Sequence, residues 1–289
     1  VKSAAILSLE NFVRWRADPA AFIEEVLIDP ETGAPFELLP AEREFLRHAF
    51  ELTPDGRLRY PELVYSAIKK SGKTGFAAMV TLYVVIILGG TYAEAYCASN
   101  DYEQSQGRVF QAITRIVKAS PLLAADAVIT MSKIVFKSSG STITAIGSDF
   151  ASAAGSNPNI TVFDELWGFV SERSRRFWDE MIPPPTRKIA ARLTVSYAGF
   201  TGESQLLEDL YRRGMAGRLI GDELWATDDG LLMAWHTKPV APWQTAAWVE
   251  QMRAQHRPAA FMRQIENQWV GSENPFIPIE AWDECCLPR

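Results

Sequence analysis

Lys73 follows Gly72 and precedes Thr74 at the end of the stretch Ala67-Ile68-Lys69-Lys70-Ser71-Gly72-Lys73-Thr74, and residue types at this spacing suit a polyphosphate. A diphosphate tail asks for inward-pointing backbone N–H groups, a helix N-terminus, and a cation that reaches the outer phosphates. Ser71 and Gly72 supply a tight turn, Lys73 the cation, and Thr74 a hydroxyl suited to a magnesium ion, as in the pattern G-x-x-x-x-G-K-[ST]. Ala67 stands where that pattern has its first glycine, which is compatible with a backbone that stays at negative φ. Lys69 and Lys70 add positive charge where a polyphosphate would lie. A basic turn capping a buried helix would use the same residues.

A phosphate loop asks for a carboxylate at the end of a later buried strand, to hold the water shell of the metal. Ile160-Thr161-Val162-Phe163-Asp164-Glu165 has that form, an apolar run followed by two acids. Asp164 falls at the C-terminal edge of the strand, on the rim where open α/β sheets bind ligands. Glu165 would orient the attacking water and partly deprotonate it. An N-cap Asp with a first-turn Glu gives the same pair of residues for purely structural reasons.

The elements that must position these groups follow from periodicity. Residues 63–66 read as a strand ahead of the loop, and the apolar run 76–88 as a buried helix after it. That run is too short for the ~20 residues a bilayer span needs. Residues 93–99 read as a second strand, and 101–119 as an amphipathic helix with Val109, Ile113, Ile116 and Val117 on one side. Residues 134–136 and 142–146 suggest a hairpin, and 160–163 and 192–197 further strands. Strands alternating with helices point to an α/β protein with a mainly parallel sheet flanked by helices. Ahead of this core, residues 8–28 carry helical spacing broken at Pro19, and 41–50 form a short amphipathic helix. From about residue 203 the sequence reads as helices and loops, with Trp225, Trp235, Trp243, Trp248 and Trp269.

Composition narrows the classes. With 47% hydrophobic and 22% charged residues among 289, the chain is an ordinary globular protein. A net charge of −6 gives no overall basic footprint, which counts against tight, non-specific DNA binding as the main activity. The three cysteines (Cys97, Cys285, Cys286) and three histidines (His48, His236, His256) show no zinc spacing and no disulfide framework, so a reducing compartment is expected. No signal peptide is read at the start.

Taken together, these residues resemble the large terminase subunits of tailed bacteriophages, ATPase motors that push DNA into a capsid. The segment Pro35-Phe36-Glu37-Leu38-Leu39-Pro40-Ala41-Glu42 is similar to the adenine-side segment of that family, in which Pro-Trp-Gln is usual. The loop is similar to its Arg-Lys-Asn-Gly-Lys-Ser. Ala98-Ser99-Asn100-Asp101, Gln104 and Ala119-Ser120-Pro121 resemble the strand and helix that follow. Ser148-Asp149 and Gly155-Ser156-Asn157-Pro158 lead into the acidic pair as they do in the family. Thr194-Val195-Ser196-Tyr197-Ala198-Gly199 resembles the coupling motif, which in that family senses the γ-phosphate and relays hydrolysis to the DNA-gripping parts. Asn267-Gln268-Trp269-Val270 and Phe276-Ile277-Pro278 are similar to the segment that closes the ATPase region. Three positions depart from the family pattern: Glu42 replaces the adenine-reading glutamine, Lys69 a frequent arginine, and Tyr197 a small hydroxyl residue.

The resemblance implies a P-loop NTPase fold of the ASCE type with a small C-terminal lid subdomain. The chain would divide into an ATPase core over residues 1–202 and a lid or linker subdomain over 203–289. The core would comprise an N-terminal helical segment (1–60) with the adenine-side motif and a P-loop core (61–202). The resemblance also implies ATP and Mg2+ as ligands, with Thr74 and Asp164 on the metal and Glu165 as base. Arg108 or Arg115 would stabilise the transition state, although either could be a solvated helix-face residue. Implied partners are double-stranded DNA, the portal protein, the small terminase subunit and further copies in a homo-oligomeric ring on the procapsid, with no membrane. The implied setting is the cytoplasm of the infected bacterial host. Arg173, Arg175 and Arg176, near Trp178, form a basic cluster that could meet DNA or simply begin a solvated helix. Full-length members carry a C-terminal nuclease of the ribonuclease-H type, and this chain stops at Leu287-Pro288-Arg289, about where it would begin. The expectation is a motor domain without nuclease activity. Two alternatives stay open: a regulatory module that binds nucleotide without turnover, and a helicase-like ATPase that translocates on nucleic acid outside any capsid.

Overall fold

Strands covered on both faces read as unbroken apolar runs, and Leu63-Val64-Tyr65 and Ile160-Thr161-Val162-Phe163 both have this character. The computed structural model describes residues 9–99, 107–147 and 155–271, and the statements below concern those residues. In chain order they form α1 (Leu9–Ala17), α2 (Pro19–Val26), α3 (Pro40–Ala49), β1 (Glu62–Ser66), α4 (Lys73–Tyr83, continued by a π-helical turn Val84–Leu88), β2 (Glu94–Ser99), α5 (Arg108–Ala119) and α6 (Pro121–Asp126). Then come β3 (Ala127–Ile129), β4 (Lys133–Phe136), β5 (Thr142–Gly147), β6 (Ile160–Asp164), a 3-10 turn (Leu166–Gly168), α7 (Glu172–Glu180) and β7 (Ala191–Ser196). The rest is α8 (Gln205–Met215), β8 (Arg218–Gly221), β9 (Leu224–Ala226), β10 (Leu231–Trp235), α9 (Ala246–Gln255) and α10 (Pro258–Ile265).

All ten strands join one sheet in the order β3-β4-β5-β2-β6-β7-β1-β10-β9-β8. The central run from β5 to β10 is parallel, and an antiparallel pair extends each edge. Two buried clusters cover its faces. Alternation along β1 sends Leu63 and Tyr65 to the side of α2, α3, α4 and α5, and Val64 to the side of α7 and α8. Val162 and Phe163 of β6 divide in the same way, and Phe163 packs edge-on against Trp178 of α7. The result is the helix–sheet–helix layering expected of this pattern, with β1 and its loop near the centre.

The structure corrects the reading of the C-terminal part as helices and loops. Residues 218–235 form three strands, and β10 lies parallel to β1 in full register, Glu62 with Leu231 through Ser66 with Trp235. A boundary at 202/203 would therefore cut through the sheet. The signal was weak because β8 and β9 are short and separated by turns, while the tryptophans drew attention to bulk rather than alternation. The helix expected from residue 101 is described only from Arg108. Asn100, Asp101, Gln104, Ser148-Asp149, Phe276-Ile277-Pro278 and the cysteines 285 and 286 lie outside the described residues.

One ion pair is built into the sheet. Glu62 and Arg192 are register partners on β1 and β7. Arg192 Nε donates to both Glu62 oxygens at 3.1 Å, its Nη2 to Oε2 at 2.6 Å, and its Nη1 to the Trp178 carbonyl at 2.9 Å. The guanidinium also lies 3.4 Å from the Trp178 ring centroid. Removing one member of such a buried pair leaves an uncompensated charge, at a cost of about 3–5 kcal/mol. Glu62→Ala should lose that much in urea denaturation, whereas Glu62→Leu combined with Arg192→Met should recover most of it. A single variant within about 1 kcal/mol of wild type would show that the pair does not matter.

Candidate active site

The loop after β1 starts without strain. Ala67 is not among the residues at positive φ, and its N–H donates to the Ser196 carbonyl of β7 at 3.2 Å. The left-handed positions are Lys70 (φ 66°) and Gly72 (φ 93°), the latter capping α4. Lys73, the first residue of α4, is buried, and its Nζ donates to the carbonyls of Ala67 at 2.8 Å and Ile68 at 3.1 Å. An ammonium has three donors, so two shape the loop and one stays available for a phosphate oxygen. Burial pulls the Lys73 pKa down to about 8, against the opposing charges of Glu165 and Asp164. Ser71 Oγ is buried with no hydrogen-bond partner.

Asp164 ends β6 opposite Val195, one residue short of Ser196. Its Oδ1 is buried and unpartnered, and burial, then the neighbouring Glu165, push its pKa up to about 7. Glu165 sits at φ 55°, an uncommon place for a residue with a side chain and one that often marks function. Its N–H donates to the Val195 carbonyl at 2.8 Å, and its Oε2 accepts the Trp167 indole N–H at 2.7 Å. Burial raises its pKa, while Lys73 and the Trp167 bond oppose the rise. Arg108, the first residue of α5, is close enough that its charge lowers the pKa of both acids. Arg115 lines the same cleft further along α5.

The residues that resemble a coupling motif lie on the rim beside the loop. Ser196 Oγ donates to the Tyr197 carbonyl at 2.9 Å. The Tyr197 ring has Lys73 Nζ 5.4 Å from its centroid and the buried Arg263 guanidinium at 5.1 Å. Arg263, on α10, also faces the rings of Trp167 at 4.6 Å and Phe200 at 4.4 Å. Gly199 is required by close approach, since a Cβ there would fall 2.3 Å from Ser204 Oγ, which itself donates to the Trp167 carbonyl at 2.8 Å. Ala198 N–H donates to Asn267 Oδ1 at 2.7 Å. The Asn267 amide also bonds Ser66 Oγ at 2.9 Å and the His236 carbonyl at 3.0 Å, joining the ends of β1, β7 and β10.

One open cleft of roughly 2240 Å³ brings together Lys69 to Thr74, Asp164, Glu165, Tyr197, Arg108, Arg115 and Glu42. Arg173, Arg175 and Arg176 lie on α7 outside that cleft, and Arg176 pairs with Glu172 one turn away. Sequence reasoning missed the residues that hold the loop from outside. Lys69 N–H donates to the Gln264 carbonyl at 2.7 Å, and Lys69 Nζ to Gln264 Oε1 at 2.8 Å. Trp243 Nε1–H donates to the Lys70 carbonyl at 2.8 Å, and Gln244 Nε2 to that of Lys69 at 3.1 Å. These partners are more than 170 positions away in the chain, beyond the reach of any local spacing rule. Glu42 has a structural job, since as the third residue of α3 its Oε2 accepts the N–H of the N-cap residue Leu39 at 2.9 Å.

Among the described residues no helix is long and apolar enough to cross a membrane. Residues 56–212, more than half of the chain, match the family described as terminase large subunit, ATPase domain. Among solved structures, the large terminase of HK97 bacteriophage is similar at 16% identity and a TM-score of 0.68, over 93% of this chain and 58% of that one. The large terminase ATPase domain of Thermus phage P74-26 is similar at 13% identity and a TM-score of 0.54, over 81% of this chain and 100% of that one. A large terminase from a thermophilic bacteriophage, in complex with ATP-gamma-S, is similar at 12% identity and a TM-score of 0.56, over 81% of this chain and 53% of that one. This chain therefore spans little more than half the length of the two whole terminases. At these identities the likeness fixes the fold, an α/β P-loop NTPase. No curated protein matches in sequence.

Burial pushes the Glu42 pKa up to about 7, opposed by the Leu39 N–H. The folded state then binds more protons than the unfolded one between about pH 4.5 and 7, so stability from this group is full below that window and lost through it. Glu42→Gln keeps the cap acceptor and removes the buried charge. The variant should match wild type near pH 4.5 and exceed it by about 2–3 kcal/mol at pH 8.5 in urea denaturation. A difference that does not change with pH would contradict the assignment.

Proposed function

The chain belongs to the terminase large-subunit ATPase-domain family, and from that premise we propose that it hydrolyses ATP to drive double-stranded DNA into a procapsid. The observation that carries the proposal is the placing of Lys73, Asp164 and Glu165 around one cleft, the lysine buried and the two acids half-buried.

In this reading the triphosphate lies along the loop with its outer end toward β6. The free donor of Lys73 and the loop N–H groups neutralise the β- and γ-phosphates. Glu165 holds the attacking water in line, its second oxygen fixed by Trp167. Among the described residues, Arg108 is the arginine whose charge reaches both acids, and an arginine from a neighbouring subunit would complete the site in a ring. Ser196, Tyr197, Ala198 and Gly199 relay the state of the γ-phosphate toward α10. The residues fit a magnesium ion, because Asp164 Oδ1 is a buried oxygen without a partner and Thr74 stands in the first turn of α4. Thr74 and Asp164 would hold the ion, which when bound spreads the charge of the β- and γ-phosphates. The proposed partners are the portal protein, the small terminase subunit and further copies of the chain in a ring, in the host cytoplasm. Of the stretch 203–289 expected as the lid, residues 236–271 follow the last strand of the sheet and are the part proposed as the lid. Nuclease activity is not proposed for this chain.

The test is ATP turnover with and without DNA across protein concentration. Turnover should rise per subunit with concentration and with double-stranded DNA. Glu165→Gln should lower kcat by about 10²–10⁴-fold with ATP affinity kept, as loss of a general base does, and Lys73→Ala should lose ATP binding. A wild type that binds ATP and never turns it over would make the chain a binding module. Stimulation by single strands with indifference to capsid components would make it a helicase-like translocase.

A further inference from the structure

We infer that Trp243 is the platform on which the nucleobase of ATP stacks, an inference that rests on the nucleotide reading above and deepens it. Trp243 follows β10 in the segment that closes over the loop, and it keeps 55% of its surface exposed. Of the exposed large apolar side chains among the described residues, it alone lines the cleft. An isolated exposed tryptophan on an outer surface would need no explanation. One exposed inside a ligand cleft, and held rigid there, is a different observation.

Its orientation is fixed by one edge. Nε1–H donates to the Lys70 carbonyl at 2.8 Å, and Cζ2, on the same side of the indole, lies 3.8 Å from where a Gly72 Cβ would stand. With that edge against the loop, more than half of the residue's surface stays open where it lines the cleft. The neighbouring Gln244 locks the segment, its Oε1 accepting the N–H groups of Val240 and Ala241 at 3.1 Å each while its Nε2 donates to the Lys69 carbonyl. The platform is thus ordered before any ligand arrives, which lowers the entropic cost of stacking.

The course of the ligand points the same way. The acids and Arg108 mark the γ-phosphate end of the cleft, and Lys73 the β-phosphate. Ribose and base need further room in the same cleft, whose lining also includes Trp243, Pro239, Phe36, Leu39 and Pro40. Phe36 and Leu39 give that lining apolar surface, while the Glu42 carboxyl is engaged in its cap. A planar base between an aromatic face and an apolar wall is a stacking site that reads π-surface more than hydrogen-bond pattern. Base selectivity should accordingly be modest.

Calorimetric titration of the chain with ATP and with inorganic tripolyphosphate, both with magnesium, tests this. Trp243→Leu should weaken ATP about tenfold, the order of one lost base-stacking contact, and weaken tripolyphosphate no more than Trp243→Phe does, since both variants lose the bond to the Lys70 carbonyl. Trp243→Phe should keep ATP within about threefold, since the ring face survives without its N–H. In wild type, ATP but not tripolyphosphate should quench indole fluorescence, and the quench should disappear in Trp243→Phe. Equal losses for both ligands would mean that Trp243 only shapes the loop, and an unchanged ATP affinity in Trp243→Leu would mean that the base lies elsewhere. Either result overturns the inference. A wild type that binds neither ligand removes the nucleotide site itself, and this subsite with it.

Discussion

A buried ammonium is the charge on which the architecture around the loop depends. Lys73 lies where water scarcely reaches, and burial alone would drive it toward the neutral amine. Two loop carbonyls and two carboxylates hold the proton on, and each is present only because of a longer-range arrangement. The carbonyls point inward because the loop leaves β1 without strain and turns at Lys70 and Gly72. The acids are near because β6 ends beside β7, which in turn pairs with β1. The acids are strained by the same burial, with Asp164 pushed to about 7. The cluster is an incomplete charge set in which a polyanion and a divalent cation each supply what the other groups lack.

Around that cluster the contacts run outward through aromatic rings rather than through a chain of ion pairs. Tyr197 lies between Lys73 and Arg263, and Trp167 connects Glu165 to the same guanidinium. The tyrosine that departs from the small hydroxyl residue of related motifs thereby supplies a π-face between two cations, which a serine could not. Arg263 belongs to α10, the helix that also presents Gln264 to the loop. A single helix beyond the sheet thus touches the cation loop, the segment after the acids, and the segment after β7.

Much of this was legible in the residues and some was not. The loop, the acidic pair and the alternating central strands depend on local spacing, and each stands where spacing put it. Ala67 holds the position of a glycine because its backbone never needs positive φ. Glu42, by contrast, resembles a ligand reader in sequence and caps a helix in the fold, a role its spacing from Leu39 fits equally well. Strands β8 and β9 escaped notice because short strands at an edge, separated by turns, carry little periodicity, and β10 because a five-residue apolar run inside a sheet has no alternation to read. Trp243, Gln244 and Gln264 meet the loop only after the chain has crossed the whole sheet, and no local spacing gives those contacts, while Asn267 was marked by the resemblance of its segment but not by the strand ends it joins.

Asn267 ties strand ends that are not neighbours in sequence. It sits at φ 52°, its side chain bonds the ends of β1, β7 and β10, and its own carbonyl accepts the Trp235 indole N–H at 3.1 Å. Mechanically this is a knot in the load path. Tension on the chain beyond it would reach three parallel strands at once, pulling on bonds that share the load rather than peeling α10 away one turn at a time. Force entering from that side would arrive directly behind the loop that carries Lys73, by way of Ser66.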